Sequence, residues 1–328
     1  MDMEKSTTKN QTTFDNDEIL TLFQLNCWLI PALLPNAQAN RCINQEERAH
    51  QISKLVLKHD VSALQEVWGA ALEQLNTPIL KKDTHFIVED NQTWTNYGGF
   101  FGDILNTSLG WASGLGGLWF SNRKGLSSSK RNHSEPLHTD KHSYSNSQTW
   151  SGKGCRCMLL DVSSIWRRNG KLLVFTTHLD KHNKKGMQSA QLEELRQFMH
   201  EQIELIYKNF YMKSSSRMAE ELSVILTGDF NIPDDHEDYN KLLMSFIHKD
   251  AMRDLYKEYG QEHDIKLKYT YIKHKQRLDF VFGVDEFSGP LSNYKRSFRP
   301  LYAHKVDVLQ QLKISDHYPT TMSLLRRK

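Results

Sequence analysis

Apolar and polar positions alternate along this chain in short bursts, a pattern that belongs to strands more often than to helices. The first burst is "ILTLFQLNCWLI" (19–30), an apolar run with Asn26 inside it. Short apolar runs bounded by turn residues predict buried strands. The same reading applies to "VSALQEV" (61–67), "GGLWFSN" (116–122), "CRCMLLDV" (155–162), "KLLVFTTHL" (171–179), "LSVILTGDFN" (222–231), "YTYI" (269–272), "RLDFVFG" (277–283) and "PTTMSLL" (319–325). The turn "RRNG" joins the runs ending at 162 and beginning at 171. Helical spacing occurs in fewer places. Ala49, Ile52, Leu55 and Val56 follow a loop with Pro31 and Pro35, and Asn44 with Glu47 forms a helix-start pair. Leu192, Leu195, Phe198 or Met199, Ile203 and Ile206 keep steps of three or four, which predicts a long helix. Residues 236–258 also read as helical, with a break near Lys249.

Many strands with a few helices between them predict an α/β fold of two sheets with helices outside. The first 17 residues are polar and predict a disordered start, leaving 18–328 as a single domain without repeats or a long linker. Two segments break the pattern. Residues 96–120 are rich in glycine and aromatics, and two readings stand: a flexible apolar loop, or glycines serving packed strands and turns. Residues 123–154 are polar and basic, and the spacing of His133, His138 and His142 matches no metal-ligand pattern, so a solvated loop is expected.

Composition narrows the picture only a little. Of 328 residues, 38% are hydrophobic and 25% charged, as in soluble globular proteins. A net charge of +3 falls short of the strongly basic signature of a dedicated nucleic-acid binder. Four cysteines, Cys27, Cys42, Cys155 and Cys157, lack zinc or C-x-x-C spacing; buried free thiols in a reducing compartment are expected, with one disulfide in a secreted form as the alternative. The polar N-terminus has no apolar signal core, no run is long enough to span a bilayer, and "LLRRK" lacks a lipidation box. The expected location is cytoplasmic or peripheral to a membrane; secretion without a cleavable signal peptide stays open.

The chemistry lies in polar residues that interrupt apolar strands or end them. They are Asn26, Glu66 in "LQEV", His178 in "TTHL", Asp229 and Asn231 in "GDFN", Asp279 in "LDFVF", and Asp316 and His317 in "SDHYP". Residues two apart on a strand share a side, so Asp229 and Asn231 are expected to aim together past the strand end. A buried carboxylate without a partner is costly, so these groups should pair with one another or hold a metal. Carboxylate and carboxamide oxygens suit Mg²⁺, and two histidines exchange protons near neutral pH. Phosphodiester hydrolysis asks for such a set.

The ordered motifs "LQEV", "GDFN", "LDFVF" and "SDHYP" resemble those of the endonuclease/exonuclease/phosphatase superfamily over residues 20–326. The resemblance implies a DNase-like four-layer α/β sandwich: two packed mixed sheets flanked by helices, with the active site at one edge. Within that superfamily "FQLNCWLIP", "LQEVW", "GLWFSNR", "TWSGKGCRCMLLDV" and "THLDKH" are most similar to the neutral sphingomyelinase branch. Departures are Cys27 and Trp28 where many nucleases carry an acidic residue, and Asp180, Lys181 and His182 after the histidine motif. The implied activity is Mg²⁺-dependent hydrolysis of sphingomyelin, with Mn²⁺ an alternative metal and a nuclease or small-ester phosphatase as alternative functions. By resemblance, Glu66 and Asn26 hold the metal with Asp316 in support, and Lys153 binds substrate. Asn231 holds phosphate or water, and His178 stabilises the phosphate or protonates the leaving oxygen. His317, oriented by Asp279, and Asp229 divide the general-base work, with their order open. The expected partner is a membrane-surface phospholipid, met by a monomer through Trp94, Phe100, Phe101, Trp111 and Trp119; nucleic acid is a partner only under the nuclease alternative.

Overall fold

The computed structural model describes residues 18–29, 45–67, 75, 85–88, 117–123, 136–145, 153–166, 170–181, 186–211, 222–249, 251–266, 268–288 and 295–326. Its elements, in chain order, are β1 (Leu20–Leu29), α1 (Gln45–Val56), β2 (Val61–Val67), β3 (His85–Val88), β4 (Trp119–Arg123), β5 (His138–Ser143), β6 (Gly154–Asp161) and β7 (Lys171–His178). There follow α2 (Met187–Ile206), β8 (Leu222–Asp229), α3 (Ser245–Lys249), β9 (Met252–Asp254), α4 (Leu255–Glu262), β10 (Asp279–Val284), β11 (Glu286–Ser288), β12 (Lys295–Ser297), β13 (Leu301–Val308) and β14 (Thr320–Arg326). One six-stranded sheet runs β13-β14-β1-β2-β4-β3, and a second runs β5-β6-β7-β8-β10-β9. Both are mixed: β1 pairs with β2, and β7 with β8, in parallel, among antiparallel neighbours. This is the four-layer α/β sandwich the sequence predicts.

Strand alternation sorts side chains into three layers. On β1, Phe23, Leu25, Cys27 and Leu29 face α1 and pack on Ala49, Ile52 and Val56. Leu20 and Leu22 face the other way, into a layer shared with Met158, Leu172, Val174, Ile225 and Val281 of the second sheet. The outer face of that sheet, through Cys155, Cys157, Phe175, Leu226 and Phe280, buries the apolar stripe of α2 at Leu192, Leu195, Met199 and Ile203. The two strand cysteines share a side, as expected, and Cys27, Cys155 and Cys157 are buried free thiols.

The layer between the sheets changes character along its length. Continuing the inward alternation of β1 past Leu20 and Leu22 gives Gln24 and Asn26, both buried. On β2, Val61 and Ala63 give way to Gln65; on β7, Leu172 and Val174 give way to Thr176 and His178. The sandwich thus holds hydrocarbon at one end and hydrogen-bonding groups at the other.

Several expectations need correction. "YTYI" is not a ladder strand: Tyr271 makes isolated bridges to Gln276 and His317. A tight turn over 271–276, closed by Tyr271 N donating to Gln276 O at 2.8 Å and admitting Lys275 at φ 54, takes up those residues. The helical stretch over 236–258 breaks near Lys249, as expected, but β9 fills the break, and Asp254 caps α4 by accepting from Lys257 N at 3.0 Å. Within the expected solvated loop, 138–143 form the edge strand β5. His138 Nε2 meets Gln202 Oε1 at 2.7 Å and His142 Nε2 meets Glu194 Oε2 at 3.0 Å, so both histidines tie that edge to α2. Strands β11, β12 and β13 carry no apolar run that a sequence reading would catch. Asn44, the disordered start (1–17), His133, and Trp94, Phe100, Phe101 and Trp111 lie outside the described residues, whereas Trp119 is a buried core residue. Among the described residues, no helix is long and apolar enough to cross a membrane.

The parallel pair β7–β8 sets the tightest backbone demand. Gly228, at φ 139, would place a Cβ 2.0 Å from Thr177 O. Gly228→Ala should therefore cost at least about 4 kcal/mol of stability, since backbone blocks the added carbon. Gly186→Ala, at φ 73 with open space around it, should cost only about 1 kcal/mol. Thermal or urea denaturation of the two variants checks the contrast; equal losses would refute it.

Candidate active site

The second sheet lines up one row of residues across four strands: Gly154, His178, Asp229 and Asp279 are mutual partners in register. Each ends or begins its strand at the polar end of the inter-sheet layer, and Lys153 sits beside Gly154. The first sheet supplies Asn26 and Glu66 from β1 and β2. Strict alternation would send Glu66 to the helix side with Leu64. Its left-handed backbone, φ 55, turns the carboxylate back toward the site. A non-glycine residue held there costs about 1–3 kcal/mol and persists only where surroundings enforce it. Gly117 enforces it: Val67 N donates to Gly117 O at 3.1 Å, in a space where a Cβ would meet Val67 N at 2.6 Å.

Two sheets therefore converge on Asp229. Asn26 Nδ2 donates to Asp229 Oδ2 at 2.9 Å and to Glu66 Oε1 at 3.3 Å. His178 Nε2 lies 3.5 Å from Asp229 Oδ2 and 3.6 Å from Glu66 Oε1. Lys153 Nζ is 2.7 Å from His178 Nε2 and 4.0 Å from Glu66 Oε1. Opposite, His317 Nε2 lies 3.7 Å from Asp229 Oδ2, and His317 Nδ1 meets Asp279 Oδ2 at 2.7 Å. The second oxygen of Asp279 accepts from Gln24 Nε2 at 2.8 Å. Asp279 thus pairs with His317, while Arg277 holds Asp254 and Asp234 at 2.7 and 2.9 Å.

Electrostatics follow from burial. Burial raises the Asp229 carboxyl to about 6, despite His317 and the Asn26 and Asn231 donors pulling it down. Burial lowers the His317 imidazole, but the Asp279 and Asp229 carboxylates outweigh it and raise the group to about 10. The proton of this pair rests on His317. Burial lowers Lys153 against the opposing pull of Glu66, Asp229 and Asp180.

Past the strand end Asn231 adopts φ 51, its N–H donates to Asp229 Oδ1 at 2.8 Å, and its Nδ2 donates to Leu179 O at 2.9 Å. Asn231 braces Asp229 through its backbone. Asp316 lies next to His317, with Oδ1 accepting from Ser315 Oγ at 3.3 Å; among the described residues it makes no ion pair or hydrogen bond with Glu66 or Asn26. Burial and the Glu66 charge raise its pKa against the pull of His317. The departures after the histidine motif have separate uses. Asp180 anchors to α2, with its N–H and Oδ2 bonded to Gln191 at 2.9 and 2.7 Å, while Lys181 Nζ lies 5.5 Å from the Tyr271 ring. That ring packs 5.0 Å from His317. His182 lies outside the described residues. Gln24, Gln65 and Tyr271 went unmarked by the sequence reading; the signal for the glutamines was their place on the same inward alternation as Asn26.

One carboxylate oxygen in the cluster, Glu66 Oε2, is buried without a hydrogen-bond partner among the described residues. An ionised oxygen in that state calls for a cation. With Asn26 and Asp229 beside it, the donors are oxygens and a carboxamide, the set Mg²⁺ and Mn²⁺ take, so the residues fit such an ion. Asn26 Oδ1 accepts from Trp28 N at 3.1 Å and keeps a second lone pair. Among the described residues no group of three His, Cys, Asp or Glu side chains is arranged to hold a metal ion.

No protein-family model and no curated protein matches the chain. Solved structures do. The human Nocturnin catalytic domain with bound sulfate is 15% identical, with a TM-score of 0.59 over 96% of this chain and 97% of that one. An endonuclease/exonuclease/phosphatase family protein from Bacteroides thetaiotaomicron is 15% identical, with a TM-score of 0.58 over 94% and 98%. A D. rerio TDP2 humanized by 14 mutations is 15% identical, with a TM-score of 0.53 over 94% and 99%. The fold is that of the endonuclease/exonuclease/phosphatase superfamily.

If Glu66 holds a divalent cation, Mg²⁺ at a hundred times its dissociation constant should stabilise the protein by about 2.7 kcal/mol. Glu66→Gln should lose that stabilisation while keeping the fold. Thermal melts with Mg²⁺ or EDTA measure both; a Glu66→Gln variant that still gains stability from Mg²⁺ would move the ion elsewhere.

Proposed function

We propose that this protein is a divalent-cation-dependent phosphodiesterase, and that its substrate is sphingomyelin, cleaved to ceramide and phosphocholine. The observation that carries the catalytic reading is a buried carboxylate, Asp229, flanked by His317 and His178 at 3.7 and 3.5 Å. In-line displacement at phosphorus puts the attacking and leaving oxygens on opposite sides, so proton-transfer groups are needed on both. The substrate assignment rests on the motif resemblance, above all "LNCWLIP", "LQEVW" and the "SGKG" segment that brings Lys153 to His178.

Mg²⁺, or Mn²⁺, held by Glu66 with Asn26 and supported by Asp316, would draw charge from the phosphate oxygens. The chain's own groups do the rest. Lys153 presents positive charge to the phosphate, and His178, whose Nε2 accepts from the Lys153 ammonium at 2.7 Å, relays a proton to the leaving oxygen. On the other side, the water proton passes into the Asp229–His317 pair. Asp279 fixes which ring nitrogen of His317 faces the reaction. The backbone N–H of Asn231 keeps Asp229 pointed at the water.

Because His317 holds its proton in the resting protein, the ionised Asp229 is the readier acceptor, and its raised pKa gives the pH dependence a sign. Catalysis needing the carboxylate should fall as pH drops through about 6, the value to which burial raises Asp229. A pH–rate profile flat through that value would exclude Asp229 as the titrating group. His317→Ala or Asp229→Ala should lower kcat about a hundredfold to ten-thousandfold, the usual cost of deleting a proton-transfer group. The deciding assay is phosphocholine release from sphingomyelin in mixed micelles, with Mg²⁺ or EDTA, beside plasmid and RNA. Nicked plasmid or shortened RNA with intact lipid would overturn the substrate and keep the catalytic reading.

A further inference from the structure

The inter-sheet layer contains a chain of buried amides that the catalytic scheme does not use. Gln24 Nε2 donates to Asp279 Oδ1 at 2.8 Å and to Gln65 Oε1 at 3.0 Å. Gln65 Nε2 in turn donates to Thr176 Oγ1 at 3.1 Å. Gln24, Gln65 and Thr176 are all essentially inaccessible to solvent. Gln24 and Gln65 belong to the first sheet, and Thr176 and Asp279 to the second, so the chain crosses the interface between the sheets twice.

The direction of each amide is fixed by its partner. A carboxylate only accepts, so the atom of Gln24 facing Asp279 must be its nitrogen. That choice has a cost: Gln24 Oε1 is buried without a hydrogen-bond partner among the described residues. A buried acceptor left unpaired is unfavourable, and an apolar side chain of similar volume would avoid it. Gln24 is thus better suited to holding Asp279 than to filling space.

We infer that Gln24 is a positioning residue for the His317–Asp279 pair, acting through the Asp279 carboxylate, with Gln65 orienting Gln24. This rests on the phosphodiesterase reading for its kinetic consequence but not for its structural one. With Oδ1 held from the first sheet, the carboxylate cannot rotate about its own axis. Oδ2 stays aimed at His317 Nδ1, and Nε2 stays turned to Asp229.

The test is a double-mutant cycle between Gln24→Met and Asp279→Asn, read by steady-state kinetics and by the far-downfield proton spectrum. Gln24→Met keeps side-chain length and volume but removes the donor. In the wild-type background it should lower kcat about tenfold to a hundredfold, the scale of loss from a misplaced catalytic group, with KM little changed. In the Asp279→Asn background the same change should have almost no further effect. The Nδ1–H signal of His317, assigned by its absence from His317→Ala, should broaden or move upfield in Gln24→Met. Gln65→Met should shift the signal the same way by a smaller amount, and it serves if Gln24→Met does not fold. Additive kinetic losses, or an Nδ1–H signal unchanged in a folded Gln24 or Gln65 variant, would overturn the inference. If the wild type hydrolyses no diester, the proposed function fails, while the proton spectrum still decides the role of Gln24.

Discussion

Three carboxylates, the half-buried Glu66 and the buried Asp229 and Asp279, lie within one small volume between two sheets, and their partnering constrains everything around them. Leaving such charges unpaired inside a protein costs several kcal/mol each. The chain answers with donors from both sheets: Asn26 and Gln24 from β1, His178 from β7, His317 from the segment before β14, and the Asn231 backbone. Hydrocarbon packing at the other end of the same layer supplies the stability from which this polar end draws. A sandwich of this kind needs a well-sealed apolar half to tolerate a polar half.

Much of this was legible in the sequence because apolar strands announce themselves and a polar residue inside one stands out. Asn26, Glu66, His178, Asp229 and Asp279 were each found as an interruption or ending of an apolar run, and the structure brings them together. What escaped has a common physical character. Strands β5 and β13 are sheet edges with little apolar content, and an edge exposes half its surface to water, so no alternation betrays it. Glu66 sits on the wrong alternation for its position in the site, and only a backbone torsion reveals how it gets there.

His317 shows the same limit from another direction. Its motif is easy to see in "SDHYP", but the groups that set its electrostatics are remote in sequence. Asp279 is 38 residues away, and the glutamine that braces Asp279 is 255 residues from it. Spacing along the chain carries no trace of such contacts. They follow from the sheet order, which seats β1 next to β14 and lays the polar ends of both sheets against each other.

That strand order also dictates when the fold can close during synthesis. Strand β1 is made first among the described strands, yet one of its two neighbours, β14, is made last. Until β14 emerges, the antiparallel flank of β1 has no partner, and its row of backbone donors and acceptors is open to any other extended chain. The second sheet, built from β5 to β10, has no such wait. A growing chain therefore passes through a stage with the second sheet complete and the first lacking β14, with Asp279 in place before His317 joins it. Long-range pairing of this kind is slow and exposes aggregation-prone edges. Yield from cell-free translation should accordingly depend more on chaperones that shield strand edges than the stability of the finished molecule would suggest.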